Sequence, residues 1–233
     1  MNAAPTPLKL RKTKRRTPQP ERTETATGGF GYMRNRMERI FTMGKFRESR
    51  TAKNLLGSFA GESQARNRYT YFARRAAEEG YDQIAEIFEE TADNECEHAL
   101  RFFKFFNGGE LEITASFPAG VIGSTYDNLL AAAAGEKFEH SELYPGFAKT
   151  AREEGFERAA DTWDAICVSE EQHEKRYREL AANIDSGAVF KRNQEVVWKC
   201  RNCGYLHVGL EAPEKCPACV MPRDVFELLG ENW

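Results

Sequence analysis

The sequence predicts a mainly α protein: an antiparallel four-helix bundle with a long crossover, followed by a small β-rich domain stapled by a metal. Three observations lead there. Residues 49–185 are dominated by Ala, Glu, Arg, Leu and Phe, with apolar side chains recurring at spacings of three and four, the helical period. The same stretch contains an internal repeat of about 75 residues. After Ser186-Gly187 the texture changes to Cys, Pro, Gly and aromatics at the density of short strands and turns.

The helices are expected at about 49–79, 82–107, 125–154 and 157–184. Gly80, Gly108 and Gly155 stand where helix C-caps belong, and Ser124 followed by Asp127 has the form of an N-terminal cap. The segment from Gly108 to Gly123 is longer than a tight turn, so the second and third helices are joined by a crossover. In the repeat, Phe72-Ala73-Arg74-Arg75-Ala76-Ala77-Glu78-Glu79-Gly80-Tyr81 matches Phe147-Ala148-Lys149-Thr150-Ala151-Arg152-Glu153-Glu154-Gly155-Phe156. Each half is a helix hairpin with an apolar face that the other half can cover, which gives a four-helix bundle.

The small domain is placed at 196–233, after a linker at 188–195; the bundle takes 46–187. Fewer than ~40 residues rarely build a core alone, so the tail needs a staple. Residues 1–45 mix Pro, Thr, Gly and Arg without a hydrophobic period and are expected to be a disordered extension. They lack the apolar core of a secretory signal. An organellar transit peptide, or a true start at Met43, remain open as readings of the same arm.

Charge and hydropathy narrow the function. No apolar run approaches the ~18–20 residues of a membrane span; the longest candidate, Leu129 to Ala134, is mostly alanine. The net charge of −3 divides into +7 for residues 1–42 and −10 for the remainder. An acidic body argues against nucleic acid as a partner, because phosphates need a basic surface. Four of the six cysteines form two close pairs, which favours a metal in a reducing compartment over a disulfide framework.

The bundle carries the first chemical signature. Residues three apart share a helix face, so Glu95 with His98, and Glu170 with His173, can each aim at one ion. Both pairs follow the repeat glycine at the same distance, and each half has an upstream glutamate, Glu62 or Glu136. Two single glutamates plus two Glu-x-x-His pairs is the donor set of di-iron and di-manganese carboxylate bundles, and oxygen-rich donors suit those ions. Glu139, three residues after Glu136, is a seventh ligand or a solvated glutamate. Tyr69, seven residues after Glu62, is an inner hydrogen-bond donor or a core tyrosine. His140 and His207 are read as ordinary residues, and Cys96 and Cys167 as core fillers, although Cys167 lies one turn before Glu170.

The tail carries the second. Cys200-Arg201-Asn202-Cys203 and Cys216-Pro217-Ala218-Cys219, separated by 12 residues, would give a tetrahedral four-thiolate site for zinc or a single iron. Trp198, Tyr205, Phe226 and Trp233 could cluster around it.

With these motifs assembled, the chain from about residue 43 resembles the rubrerythrins. The run Phe59-Ala60-Gly61-Glu62-Ser63-Gln64-Ala65-Arg66-Asn67-Arg68-Tyr69, both Glu-x-x-His pairs, Gly135-Glu136 with Glu139, and both cysteine knuckles stand in that family's order. The resemblance implies a ferritin-like bundle with a di-iron centre held by Glu62, Glu95, His98, Glu136, Glu139, Glu170 and His173. It implies a rubredoxin-like iron centre at Cys200, Cys203, Cys216 and Cys219. It also implies that His98 and Glu139 exchange on one iron with oxidation state. The implied activity is a cytoplasmic hydrogen peroxide reductase, supplied with electrons through the cysteine iron from an NAD(P)H-dependent reductase or a rubredoxin. A homodimer or higher homo-oligomer is implied, with the cysteine iron of one subunit beside the di-iron site of the other, and no membrane or nucleic-acid partner. Val220 departs from free rubredoxins, which usually place Gly there. Two rival readings fit the same motifs: an iron-storing ferroxidase, disfavoured by the appended one-electron domain, and a non-enzymatic binding module with zinc in the tail.

Overall fold

The computed structural model describes residues 45–232; the expectations placed on residues 1–44, and on Trp233 in the aromatic cluster, lie outside the described residues. The order is α1 (Arg50–Glu78), α2 (Asp82–Phe103), α3 (Thr125–Phe138), a π-helical turn (Glu139–Leu143), α4 (Tyr144–Glu153), α5 (Glu157–Asp185), β1 (Lys191–Cys200), β2 (Leu206–Glu211), a 3-10 turn (Arg223–Val225) and β3 (Phe226–Leu228). α1 packs chiefly on α2, and α3 and α4 on α5. The two hairpins of the repeat are therefore the two halves of the bundle.

Local signals set the ends. Ser49 caps α1, its side chain accepting from Ala52 N–H, and Ser124 caps α3 by accepting from Asp127 N–H. Gly80 and Gly155 close their hairpins at φ +81° each, a left-handed conformation that only glycine adopts without cost. α2 stops at Phe103 rather than near 107, so Gly108 lies in the crossover and is not the cap itself. Arg47 reaches across to the carbonyls of Gly108 and Glu110 and holds the crossover's start.

The third expected helix is broken where the sequence reading made it continuous. Glu62 and Tyr69 are seven residues apart, whereas their repeat partners Glu136 and Tyr144 are eight apart. The π turn at Glu139–Leu143 absorbs that extra residue. Pro145 follows directly at the start of α4, where its missing N–H is tolerated.

Two apolar clusters fill the bundle. One holds Tyr69, Phe72, Ile84, Phe88, Leu129 and Tyr177; the other holds Leu55, Phe102, Tyr144, Ala148, Trp163 and Ile166. Along α1, α2, the α3–α4 unit and α5, one buried glutamate falls between them: Glu62, Glu95, Glu136 and Glu170. A polar layer thus crosses the middle of the bundle, sealed by packed side chains above and below.

The tail is a three-stranded antiparallel sheet in the order β2-β1-β3. β1 begins at Lys191, paired with Glu211, so most of the expected linker at 188–195 is strand. Trp198, Cys200, Cys216, Val225 and Phe226 form its core, with Tyr205 against them. Arg201 pairs with Glu86 of α2, and Tyr81 stacks on Phe190 with centroids 6.3 Å apart, seating the sheet on the Gly80 end of the bundle.

Candidate metal centres

Six of the seven bundle residues singled out in the sequence meet in the polar layer. Glu62, Glu95, His98 and Glu170 offer donor atoms within 4.8 Å of one another, and so do Glu95, Glu136, Glu170 and His173. The two groups share Glu95 and Glu170. Helix spacing explains half of this, because each Glu-x-x-His aims inward from one helix face. The other half is the antiparallel contact of α2 with α5, which brings the two pairs face to face.

The donor atoms converge, but most of them do not satisfy each other. His173 Nδ1 lies 2.9 Å from Glu170 Oε2, 3.2 Å from Glu95 Oε1 and 3.8 Å from Glu136 Oε2. His98 Nδ1 lies 2.9 Å from Glu170 Oε1 and 3.0 Å from Glu95 Oε2. Yet among the described residues Glu62 Oε2, Glu95 Oε1, Glu136 Oε2, both Glu170 oxygens and His173 Nδ1 are buried with no hydrogen-bond partner. Buried carboxylates left this way are costly. Atoms aimed at a common centre rather than at one another fit a pair of cations.

The electrostatics agree. Burial, then the charge of Glu95, pushes Glu62 well above the ordinary carboxylate range and Glu136 up to about 8. Glu95 goes the other way: desolvation opposes ionisation, but His173 and His98 hold it at about 2. Against desolvation, the carboxylates raise His98 to about 10 and His173 to about 12. Protons occupy the charge balance that divalent ions would otherwise supply.

Glu139 belongs to neither donor group. It projects from the π turn into the same acidic layer, where burial and the charges of Glu136, Glu170 and Glu95 raise it well above its ordinary value.

Tyr69 is both core and donor. It is buried, and its hydroxyl donates to Glu136 Oε1. Sequence reasoning missed its counterpart: Tyr144 donates to Glu62 Oε1 at 2.5 Å. Each tyrosine thus serves the upstream glutamate of the other half. The signal was available, since the repeat maps Tyr69 onto Tyr144. Asn94, whose Oδ1 lies 3.3 Å from His173 Nε2, was also missed. His140, read as ordinary, pairs with Glu174 at 2.7 Å. Cys96 is exposed, while Cys167 borders the Trp163 cluster and is pushed up to about 11 by burial.

In the tail, Cys200 and Cys219 Sγ are 3.7 Å apart, and Cys203 and Cys216 Sγ are 3.6 Å apart. All four gather within 4.8 Å, and none is disulfide-bonded. An ion about 2.3 Å from each sulfur needs tetrahedral edges of about 3.8 Å, so the cage has the right size. Asn202 and the Met221 N–H bring Cys219 down to about 6. Against the Tyr205 N–H, desolvation and the partner thiols push Cys203 up to about 12. Four thiolates there require a cation. Gly204 and Val220 occupy equivalent positions in the two knuckles, at φ +78° and +62°.

Known proteins match both halves. The family model described as rubrerythrin matches residues 53–181, and that described as the rubredoxin-like domain of rubrerythrin matches residues 198–227. Rubrerythrin of Nitratidesulfovibrio vulgaris is 58% identical over 191 residues, 82% of this chain and 100% of that protein. Rubrerythrin of Porphyromonas gingivalis is 56% identical, covering 79% of this chain and 92% of that protein. Among solved structures, fully reduced, all-ferrous nigerythrin superimposes with a TM-score of 0.52 at 34% identity, covering 78% of this chain and 90% of that one. The bundle is ferritin-like and carries a di-iron site of carboxylate and histidine ligands, and the tail is a rubredoxin-like four-cysteine centre. Two helix hairpins facing each other across buried glutamates, with a four-cysteine sheet at one end, are the marks of one lineage, and this chain belongs to the rubrerythrin family.

Proposed function

We propose that this protein is a hydrogen peroxide reductase of the oxidative-stress defence, whose bundle reduces peroxide to water and whose tail delivers electrons. The observation that carries the proposal is the sharing of Glu95 and Glu170 between two donor groups, the arrangement that two adjacent ions require. In this reading Glu62, Glu95, His98, Glu136, Glu139, Glu170 and His173 hold two irons, and Cys200, Cys203, Cys216 and Cys219 hold one. The functional division follows: an extension over 1–45, a di-iron bundle over 46–187, and an electron-transfer domain over 196–233.

Two ferrous ions, if held there, would supply two electrons and Lewis acidity to an O–O bond. The chain's own residues do the rest. Tyr144 and Tyr69 keep their protons, because burial and then Glu62 or Glu136 push each hydroxyl well above 10. They therefore remain donors and fix Glu62 Oε1 and Glu136 Oε1, leaving the second oxygen of each free for an ion. The aromatic clusters on both sides exclude water from the layer. Glu139 begins a π turn, an irregularity frequent at functional sites, whereas the other donors stand in regular α-helix; that supports an exchange of ligands with His98 on one ion. The nigerythrin structures that the chain resembles include mixed-valent, partially reduced and all-ferrous states.

Electrons would enter at the tail from an NAD(P)H-dependent reductase or a rubredoxin, in the cytoplasm, in a homodimer. Among the described residues no helix is long and apolar enough to cross a membrane. The test is an anaerobic preparation with its visible spectrum and metal count, followed by reductant and one equivalent of peroxide. About three irons per chain, bleached by reductant and recoloured far faster by peroxide than by air, is the expected result. Peroxide turnover retained after Glu95→Ala or Glu170→Ala would sink the ligand assignment. Zinc in the tail would remove the electron path and favour the ferroxidase rival.

A further inference from the structure

The two halves of the bundle are related by the repeat, yet they hold their imidazoles differently. His173 is gripped on both edges: Nδ1 faces the carboxylates, and Nε2 meets Asn94 Oδ1 at 3.3 Å. Its side chain is 3% exposed. One turn along the same seam, Arg176 donates to Thr91 Oγ1 at 2.7 Å and to Glu90 at 3.2 Å, stapling α2 to α5 again. His98 is gripped on one edge only. Its Nδ1 faces Glu95 and Glu170, but among the described residues its Nε2 has no protein partner, and its side chain is 14% exposed.

The repeat accounts for the difference. The position equivalent to Asn94 is Ser169, and the position equivalent to Thr91 is Ile166. A serine hydroxyl is shorter than a carboxamide, and isoleucine accepts nothing. Arg101, the counterpart of Arg176, therefore turns away to Thr162 Oγ1 at 3.2 Å and lies over the Phe105 ring. Among the described residues the carboxamide contact that grips His173 has no counterpart at His98, and the arginine staple between α2 and α5 lies one turn further along the seam.

We propose that Asn94 is a positioning residue that makes the two metal positions unequal. It fixes the His173 ring on its ion through Nε2–H, while His98, opposite Ser169, is left as the ligand that can release. Partners on the far nitrogen of a ligating histidine set its orientation and basicity, and losing one typically costs 10–100-fold in affinity. The inference rests on the ligand assignment proposed above.

The test uses the full-length, ferrous-loaded protein under anaerobic conditions, challenged with excess ferrous chelator; the tail iron is followed separately through its thiolate absorption. Wild type should lose its two bundle ions in a fast and a slow phase. Asn94→Ala should accelerate the slow phase by about 10–100-fold and leave the fast phase unchanged. Asn94→Asp, which keeps an acceptor, should restore the slow phase. Equal acceleration of both phases by Asn94→Ala would mean a general loss of packing and overturn the proposal. So would a slow phase that does not respond. A wild-type protein that never holds two bundle ions would instead overturn the ligand assignment beneath it.

Discussion

Replacing Tyr144 by Phe isolates one hydrogen bond in the polar layer. The ring is fully buried beside Phe102 and Phe147, with centroids 5.8 and 6.3 Å away, and phenylalanine keeps those contacts. What is lost is the 2.5 Å bond to Glu62 Oε1. In the metal-free protein Glu62 is pushed toward its neutral form by burial and by Glu95, so the bond there is worth about 0.5–1.5 kcal/mol. With metal bound, Glu62 is a carboxylate and the same bond becomes charge-assisted, worth about 1.5–3 kcal/mol. The difference, about 1–2 kcal/mol, should appear as a 5–30-fold loss of ferrous affinity. Anaerobic competition against a calibrated chelator measures the affinity, and urea unfolding of the metal-free protein measures the remainder. Tyr177→Phe is the matched control, because among the described residues the buried Tyr177 hydroxyl makes no hydrogen bond to a carboxylate of the layer. If Tyr144→Phe leaves ferrous affinity unchanged, or destabilises the metal-free protein more than the loaded one, the role given to this tyrosine is wrong.

Three further outcomes are expected. Glu154 accepts from Thr51 N–H at 2.9 Å, Thr51 Oγ1 at 2.7 Å and Arg50 N–H at 3.2 Å, closing the start of α1; Glu154→Ala should cost about 1–2 kcal/mol at neutral pH. Although desolvation opposes it, Thr51 and Arg50 hold this carboxyl at about 2 against an ordinary 4.5, so its stabilisation is full above pH 4.5 and lost as pH falls through about 2. Urea midpoints of wild type and mutant should converge across that window, and a constant gap would contradict the assignment. Val220 is a β-branched residue at φ +62°, a conformation costing roughly 1–2 kcal/mol; Val220→Gly should stabilise the tail by up to about 1 kcal/mol once the freer unfolded chain is counted, read as slower release of the tail metal. Cys216→Ser should release that metal and abolish order in the tail, since such sites contribute about 10–16 kcal/mol to folding, while helical circular dichroism and bundle iron persist. A tail that still resists proteolysis would show that its core stands without the ion.

Where the determinant is local, the sequence alone was sufficient. The paired Glu-x-x-His motifs, the repeat glycines and the two cysteine knuckles specify which side chains share a face, because helix and turn geometry converts spacing directly into direction. The four-helix architecture followed from the repeat, since each hairpin exposes an apolar face that its copy covers. Tertiary structure decided everything that depends on the axial register of one helix against another. That register makes Glu95 and Glu170 common to both donor groups, crosses Tyr69 to Glu136 and Tyr144 to Glu62, and gives Asn94 to the far nitrogen of His173 while, among the described residues, that of His98 has no protein partner. Traces of these contacts were present, in the one-residue slip between the repeats and in Pro145, but no single helix encodes its offset against a neighbour. The offset is fixed only when Phe88 and Tyr177 on one side of the layer and Phe102 and Trp163 on the other are packed together, and the polar layer lies where that packing puts it.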